Sequence, residues 1–509
     1  MGGEMCFKPK QLAWVLGMAA ILVFVSSHVV HSSNDFTENM RVTGHLTQRV
    51  SMNTENPPET DGDDRYNLSM FRSTAYLELN GYYDLFDFGV IGRIDREYMT
   101  EYLRELDRMS EADLESFYDD AEFREYYVDI EPWDSVQMRL GKQQVVWGRT
   151  DFFQAMDVIH GYDFTWRTFL EAENQYLRKP LTMANTKIRM PGGQLQLIWI
   201  PGDDINSEDQ YGNTYDLRGG RWALQPNKGF DFLTGGVPYN YHHPEGDSDD
   251  DHYGVRWTGM TGPIEYSLAY FYGNRQDPVV NSAADPYEGE APQNEFAEFI
   301  FPKEHMIGGT MNYYFRPLDM VLRTELAYFF DRAYNVGQDA SEVFAGIPGF
   351  DGIKEYDTVR SMIGFDKPMS WVKPLLGARK DGFFSMQLFT TTLLDYDRGK
   401  DEDNIVRLAG YGAGHYEYDS ILTGILGWNY AGDTVNPQLA GGVQVNNGDF
   451  FVIPSCQFVL SDRLRLYTEY AMFFPGSNYK EPGEVETDTQ LIGWFENNDQ
   501  LYVRLKYVF

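Results

Sequence analysis

Between Arg139 and Lys179 the sequence reads RLGKQQVVWGRTDFFQAMDVIHGYDFTWRTFLEAENQYLRK, the densest mixture of charge and aromatic rings in the chain. Asp151, Asp157 and Asp163 stand among Arg149, Arg167 and Arg178. Trp147, Phe152, Phe153, Trp166 and Phe169 lie beside them. Carboxylates and guanidiniums at these spacings can pair and fix a loop to a wall, and rings give an apolar-bodied solute something to pack on. That is recognition chemistry and requires no bond-making step. The stretch after Gly148 does not alternate and carries no hairpin turn, and a loop of this length is usually functional or disordered. Its aromatic content argues for order. We read 148–180 as a loop folded inward, narrowing a lumen or capping one mouth; an exterior cap is the alternative.

Other chemical constellations are weaker. His242, His243 and His252 flank Asp247, Asp249, Asp250 and Asp251. Carboxylates such as Asp249, Asp250 and Asp251 could hold Ca²⁺ and the histidines a transition metal, but the spacing fits no EF-hand and suits a solvated acidic loop better. The sequence contains no G-x-S-x-G, H-E-x-x-H or C-x-x-C pattern, so neither a catalytic residue nor a cofactor is expected.

The elements that position these residues read as strands. In 501–509, Leu501, Val503, Leu505, Tyr507 and Phe509 share one face, and Tyr502, Arg504, Lys506 and Val508 the other. In 463–472, Leu464, Leu466, Tyr470 and Met472 oppose Arg463, Arg465, Tyr467 and Glu469. In 321–330, Leu322, Leu326, Tyr328 and Phe330 oppose Arg323, Glu325 and Ala327. This period of two marks strands with one apolar and one polar face. Similar segments recur near 38–50, 68–80, 84–98, 122–130, 135–147, 183–190, 193–201, 251–260, 263–273, 304–316, 319–331, 355–366, 381–394, 415–430, 435–447, 450–460, 463–474 and 499–509.

Connection lengths are uneven. Gly81-Tyr-Tyr, Gly192-Gly193, Thr261-Gly262, Arg316-Pro317-Leu318, Asn446-Asn447-Gly448 and Ser461-Asp462 are turn-sized, whereas 202–250, 274–303, 332–354, 396–414 and 475–498 are long and acidic. Short turns on one side and long loops on the other are the pattern of an outer-membrane barrel. The expected fold is therefore all-β: a transmembrane antiparallel β-barrel of about 16–18 strands over 34–509. Aromatic strand ends should form girdles at its two interfaces. Arg139, Arg323, Arg465, Arg504 and Lys506 should point into the lumen, making it locally basic or pairing with Glu325 and Glu469 to fill it. Residues 100–119, with Ser110-Glu-Ala-Asp113 resembling a capping box, read as short helices inserted at a mouth or in the lumen.

Composition agrees. The 509 residues hold 35 Tyr, 34 Phe, 10 Trp and 48 Gly, with a net charge of −35. A mean hydropathy of −0.46 fits strands wet on one face and lipid-facing on the other. The negative charge excludes a nucleic-acid partner. Lys8 and Lys10 precede an apolar run from Leu12 to Val25, short of the roughly 20 residues that span a bilayer, so 1–33 reads as a cleaved signal peptide. Cys6 would leave with it, and Cys456 would remain alone. Expected partners are outer-membrane lipid, the barrel-assembly machinery, a small-molecule solute and a periplasmic transporter.

One motif carries a family resemblance. Gly141-Lys-Gln-Gln-Val-Val-Trp-Gly148, followed by Asp157-Val158 and Asp163, resembles an outer-membrane family known as domain of unknown function 1302. Its members carry Gly-Arg-Gln-x-x-x-Trp-Gly and a downstream Asp-rich stretch; Lys142 stands where they usually have Arg. The resemblance is specific over about 120–190 and general elsewhere. It implies export, a porin-like barrel and an association with envelope lipid or hydrophobic-compound transport, beside exporters of the resistance-nodulation-division type. The alginate-export barrel is a more distant relative in style. The reading is a passive channel for a small, amphipathic or hydrophobic solute, and not an enzyme. Its rivals are a barrel hydrolase and a docking barrel for a periplasmic partner.

Overall fold

The computed structural model describes residues 39–57, 62–83, 86–106, 118–202, 206, 210–223, 236–294, 296–337, 351–398, 415–476 and 490–509. The signal segment 1–33 lies outside them, as does most of the helical stretch 100–119. What is described of that stretch includes one short helix, α1 (Glu101–Glu105), capped by the Thr100 hydroxyl accepting from the Leu103 N–H at 3.2 Å.

Nine strands come first: β1 (Met40–Asn53), β2 (Leu68–Tyr83), β3 (Phe86–Glu97), β4 (Asp120–Trp133), β5 (Val136–Gln143), β6 (Leu181–Met190), β7 (Gly193–Ile200), β8 (His252–Thr261) and β9 (Ile264–Asn274). A separate two-stranded hairpin follows, β10 (Val279–Ser282) and β11 (Ala297–Ile300). Nine more strands complete the chain: β12 (Lys303–Phe315), β13 (Met320–Asn335), β14 (Ile353–Met369), β15 (Gly382–Leu393), β16 (Tyr418–Gly427), β17 (Val435–Gln444), β18 (Phe450–Val459), β19 (Leu464–Phe474) and β20 (Gln500–Val508).

Each wall strand pairs antiparallel with its neighbour in sequence, and β9 passes directly to β12. Strand β20 then pairs with β1, from His45↔Val508 to Asn53↔Gln500. The sheet of 18 strands is therefore closed, and no backbone edge is left for lipid to meet. Every strand expected from the alternation corresponds to one of the 18. The β10–β11 hairpin was not expected; its Val-Val-Asn-Ser strand is four residues long and buried throughout, so it shows no alternation.

Alternation sets the faces. In β13, Glu325, Ala327 and Phe329 are buried, whereas Leu326 is 54% exposed. Leu268, Ile307, Ile363 and Leu505 are likewise exposed on the outer surface. A water-facing strand would not place such residues outward; a lipid-facing one must. Tyr83, Phe86, Trp133, Tyr314, Phe383 and Tyr507 are exposed at the end bearing the short connections, and Trp199, Tyr253, Phe330, Tyr418, Phe450 and Phe474 at the other. These are the two aromatic girdles. Among the described residues no helix is long and apolar enough to cross a membrane; the chain crosses with strands. This is the architecture of a bacterial outer-membrane barrel.

Strand ends shift by a few residues from the sequence reading, and two differences bear on the fold. The 445–449 connection is short, yet it joins β17 to β18 on the side of the long loops. Strand β5 stops at Gln143 rather than at Trp147-Gly148. Its pairing with β6 ends at Gln143↔Leu181, and the chain leaves the wall there.

Candidate functional site

Gly141 is where the departure is prepared. Its φ is 126°, and a Cβ there would lie 2.2 Å from the Tyr126 carbonyl oxygen. Only glycine takes this backbone conformation freely. Beyond it both Lys142 and Gln143 are buried, where a regular strand would bury one and expose the other. The Lys142 ammonium lies 3.8 Å from Glu122.

From there to Leu181 the chain runs outside the wall strands. His160 accepts the Val145 N–H at Nε2 (2.9 Å), which leaves Nδ1 to donate to the Lys179 carbonyl at 2.8 Å. One imidazole thus ties the outgoing and returning arms together. Burial, and then the Arg178 charge, lower its pKa from 6.5 to about 3, so the neutral ring is the stable form. Trp147 is fully buried and donates from Nε1 to Gln196 of β7 at 3.1 Å.

Contacts run to both halves of the wall. On one side, Glu325 of β13 accepts the backbone N–H groups of Arg149 and Met156, the latter at 3.1 Å. Arg323 bonds the Arg149 carbonyl at 2.7 Å and pairs with Asp366 at 2.7 Å and Asp151 at 3.3 Å. Arg149 itself pairs with Glu265 of β9 at 2.7 Å. On the other side, Arg167 pairs with Glu469 of β19 and lies 3.7 Å over the Tyr502 ring. Arg504 and Lys506 of β20 pair with Glu173 at 2.9 and 3.3 Å. Arg93 of β3 donates to the Tyr176 carbonyl at 2.8 Å.

Asp157 accepts from Arg178 and from the Tyr162 hydroxyl, both at 2.6 Å. Asp163 turns back on the Thr165 N–H at 3.0 Å. Trp166 is buried between Arg49 and Arg72, whose guanidinium carbons stand 5.2 and 5.1 Å from its ring. Arg139 is held by Asp129 over the Tyr127 ring. Arg465 shares the inward parity but is exposed at the short-turn rim, away from this segment. Asp249, Asp250 and Asp251 do not converge. Asp249 joins His242 and Asp247 in an exposed group, Asp250 pairs with Lys303 at 2.9 Å, and Asp251 accepts from Trp199 and Tyr253. His243 and His252 are buried elsewhere.

Several contributors were not singled out in the sequence. Glu171 and Glu173 lie within the segment, and their carboxylates are what Arg504 meets. Gln276, in the loop after β9, donates to the carbonyls of Asp157 and His160 at 2.8 and 2.6 Å. Arg221 bonds Glu97 of β3 at 2.9 and 3.0 Å through two nitrogens. Inward parity on β3 marks Glu97 in the sequence; nothing in a long acidic loop marks Arg221 or Gln276.

One cavity borders the segment and another borders the residues just before it. One, of about 220 Å³, lies on the long-loop side and is lined by Phe152, Phe153, Phe169, Trp222, Phe389 and Phe495 with Arg275, Asp277 and Arg360. The other, of about 350 Å³, lies on the short-turn side among Arg139, Asn185, Lys187, Gln196 and Arg256.

A model of the family described as "Protein of unknown function (DUF1302)" matches residues 12–509. The chain belongs to the DUF1302 family. The stretch Gly141–Gly148, which carries the family resemblance, is where the chain leaves the wall. No curated protein matches the sequence. Among solved structures it is similar to OpdK of Pseudomonas aeruginosa, crystallised with vanillate, at 10% identity and a TM-score of 0.46, covering 93% of this chain and 99% of that one. It is similar to OpdL of the same organism at 9% identity and a TM-score of 0.44, covering 93% and 99%. OmpF of Salmonella typhi, in complex with daunomycin, matches at 8% identity and a TM-score of 0.40, covering 92% and 98%.

Proposed function

We propose that this DUF1302 protein is a porin-like outer-membrane channel in which the segment 148–180 narrows the lumen and selects a small amphipathic solute. One observation carries the reading: the segment is bonded to inward-facing side chains on both halves of the wall, through Glu325 and Arg323 on β13 and through Glu469, Arg504 and Lys506 on β19 and β20. Backbone N–H groups held by a buried carboxylate are anchored by charge-assisted hydrogen bonds, the stronger kind. A cavity lined by Phe152, Phe153 and Phe169 of the segment, and another lined by Val145 and Val146 just before it, give a solute places to wait. The rings on the long-loop side suit an apolar body, and the charged and amide groups on the short-turn side suit its polar end. Passage of this kind needs no covalent chemistry.

Liposome swelling and planar-bilayer recordings test it. Wild-type protein should conduct weakly. Glu325→Ala removes the acceptor of two backbone N–H groups and should raise single-channel conductance several-fold. A barrel that folds, inserts and passes neither ions nor solutes in either form would refute the channel.

A further inference from the structure

The long-loop cavity has donors to spare. Arg275, the residue that follows β9, is 5% exposed and lines it. Among the described residues its Nε and Nη1 meet no hydrogen-bond acceptor, and its guanidinium lies beside the Tyr334 ring, 5.1 Å from the centroid. Trp222, 3% exposed on the same cavity, has no acceptor for its Nε1–H among the described residues. The carboxylates of the cavity are already served. Asp277 accepts from Asn213 and Tyr215 at 2.7 Å each and from Arg360 at 3.2 Å. Asp216 accepts from the Tyr118 hydroxyl at 2.8 Å and from the Trp222 and Gly220 N–H groups at 2.9 and 3.1 Å. Asp419 accepts from Gln444.

Charge points the same way around Arg275. Arg332 is taken by Glu304 at 2.8 Å and Arg360 by Asp277 at 3.2 Å, so among the described residues Arg275 forms no ion pair of its own and shares the Asp277 charge with these two arginines. A buried guanidinium without an anion is costly, and buried donors are ordinarily satisfied. Resting on the channel reading, we propose that this cavity is a binding site for a small carboxylate with an aromatic or apolar body. Its carboxylate would accept from the Arg275 guanidinium at Nη1–H, and its body would lie among Phe152, Phe153, Phe169, Phe389 and Phe495. A guanidinium presents paired donors that match a carboxylate, and the surrounding rings reject a bare hydrated ion. The site lies on the long-loop side, ahead of the 148–180 segment for a solute entering from that side.

Isothermal titration of the detergent-purified full chain with phenylacetate and with phenylacetamide tests this, because the two probes share a shape and differ in charge. The expected result is saturable phenylacetate binding at least tenfold tighter than phenylacetamide. Arg275→Gln should weaken phenylacetate at least tenfold and leave phenylacetamide little changed. Trp222→Phe, which keeps a ring and removes one donor, should weaken phenylacetate less. Equal affinity for the two probes on the wild-type protein overturns the proposal, as does saturable binding indifferent to Arg275→Gln in a folded barrel, or no phenylacetate binding at all. The channel reading fails separately: a protein that binds phenylacetate but carries no current keeps the anion site and refutes the channel. One that conducts while binding both probes alike keeps the channel and refutes the anion site.

Discussion

Gly141 and His160 show how single residues end a wall strand and tie together the segment that follows it. At Gly141 a φ of 126° and a Tyr126 carbonyl 2.2 Å from any Cβ leave no room for a side chain. Gly141→Ala should cost roughly 1–3 kcal/mol of strain, read as a lower midpoint for conversion of the heat-modifiable gel band. His160 is neutral because it is buried, with a folded pKa of about 3 against an ordinary 6.5. Between those values the unfolded chain binds a proton that the folded chain refuses. The stability His160 contributes is therefore complete above pH 6.5 and is lost as pH falls towards 3. The melting midpoint of wild type should drop across that window by more than that of His160→Gln; parallel profiles would contradict the assignment. At this scale the sequence was partly legible. Gly141, Trp147 and Gly148 stood out only through the family resemblance that they carry. The role of His160 was hidden, since a lone histidine in a mixed segment has no pattern, and its two partners are backbone groups.

At the level of elements, the strands were legible and the segment's anchors were not. Period-two alternation survives in sequence because each wall strand has lipid on one side and lumen on the other. It also told which residues point inward, Arg323, Glu325, Glu469, Arg504 and Lys506 among them. It did not tell what they meet. Glu469 and Arg465 share a face of β19, yet Glu469 bonds Arg167 from the segment; Glu325 bonds no side chain of its own strand but two backbone N–H groups of the segment. Such partners are separated by more than a hundred residues in sequence, and only the closed fold brings them together. Glu469→Ala should strand a buried Arg167 with Glu171, 3.4 Å away, as its remaining counter-charge. Because breaking a buried pair costs about 3–5 kcal/mol, a loss near the lower end is expected. Glu469→Gln, which keeps a hydrogen-bond acceptor, should lose less. Equal midpoints for all three forms in thermal melts would mean that this anchor does not hold.

For the whole molecule, closure by β20 against β1 explains why the alternation runs to Phe509. The Phe509 N–H donates to the Gly44 carbonyl at 3.0 Å and the Gly44 N–H to the Phe509 carbonyl at 3.2 Å, so the last residue belongs to the seam. The outward apolar belt, the two girdles and the unequal connections follow from the requirement that a membrane wall have no open edge. The segment 148–180 is an addition to that wall and not part of it. Strands β5 and β6 pair with each other from Val136↔Ile188 to Gln143↔Leu181 without its help. Removing residues 150–178 should therefore leave a folded, heat-modifiable barrel. The most direct measurement is the single-channel conductance of that deletion beside wild type in planar bilayers. A constricting segment predicts a conductance several-fold larger and weaker discrimination among solutes. Equal conductance from a correctly folded deletion would contradict the account.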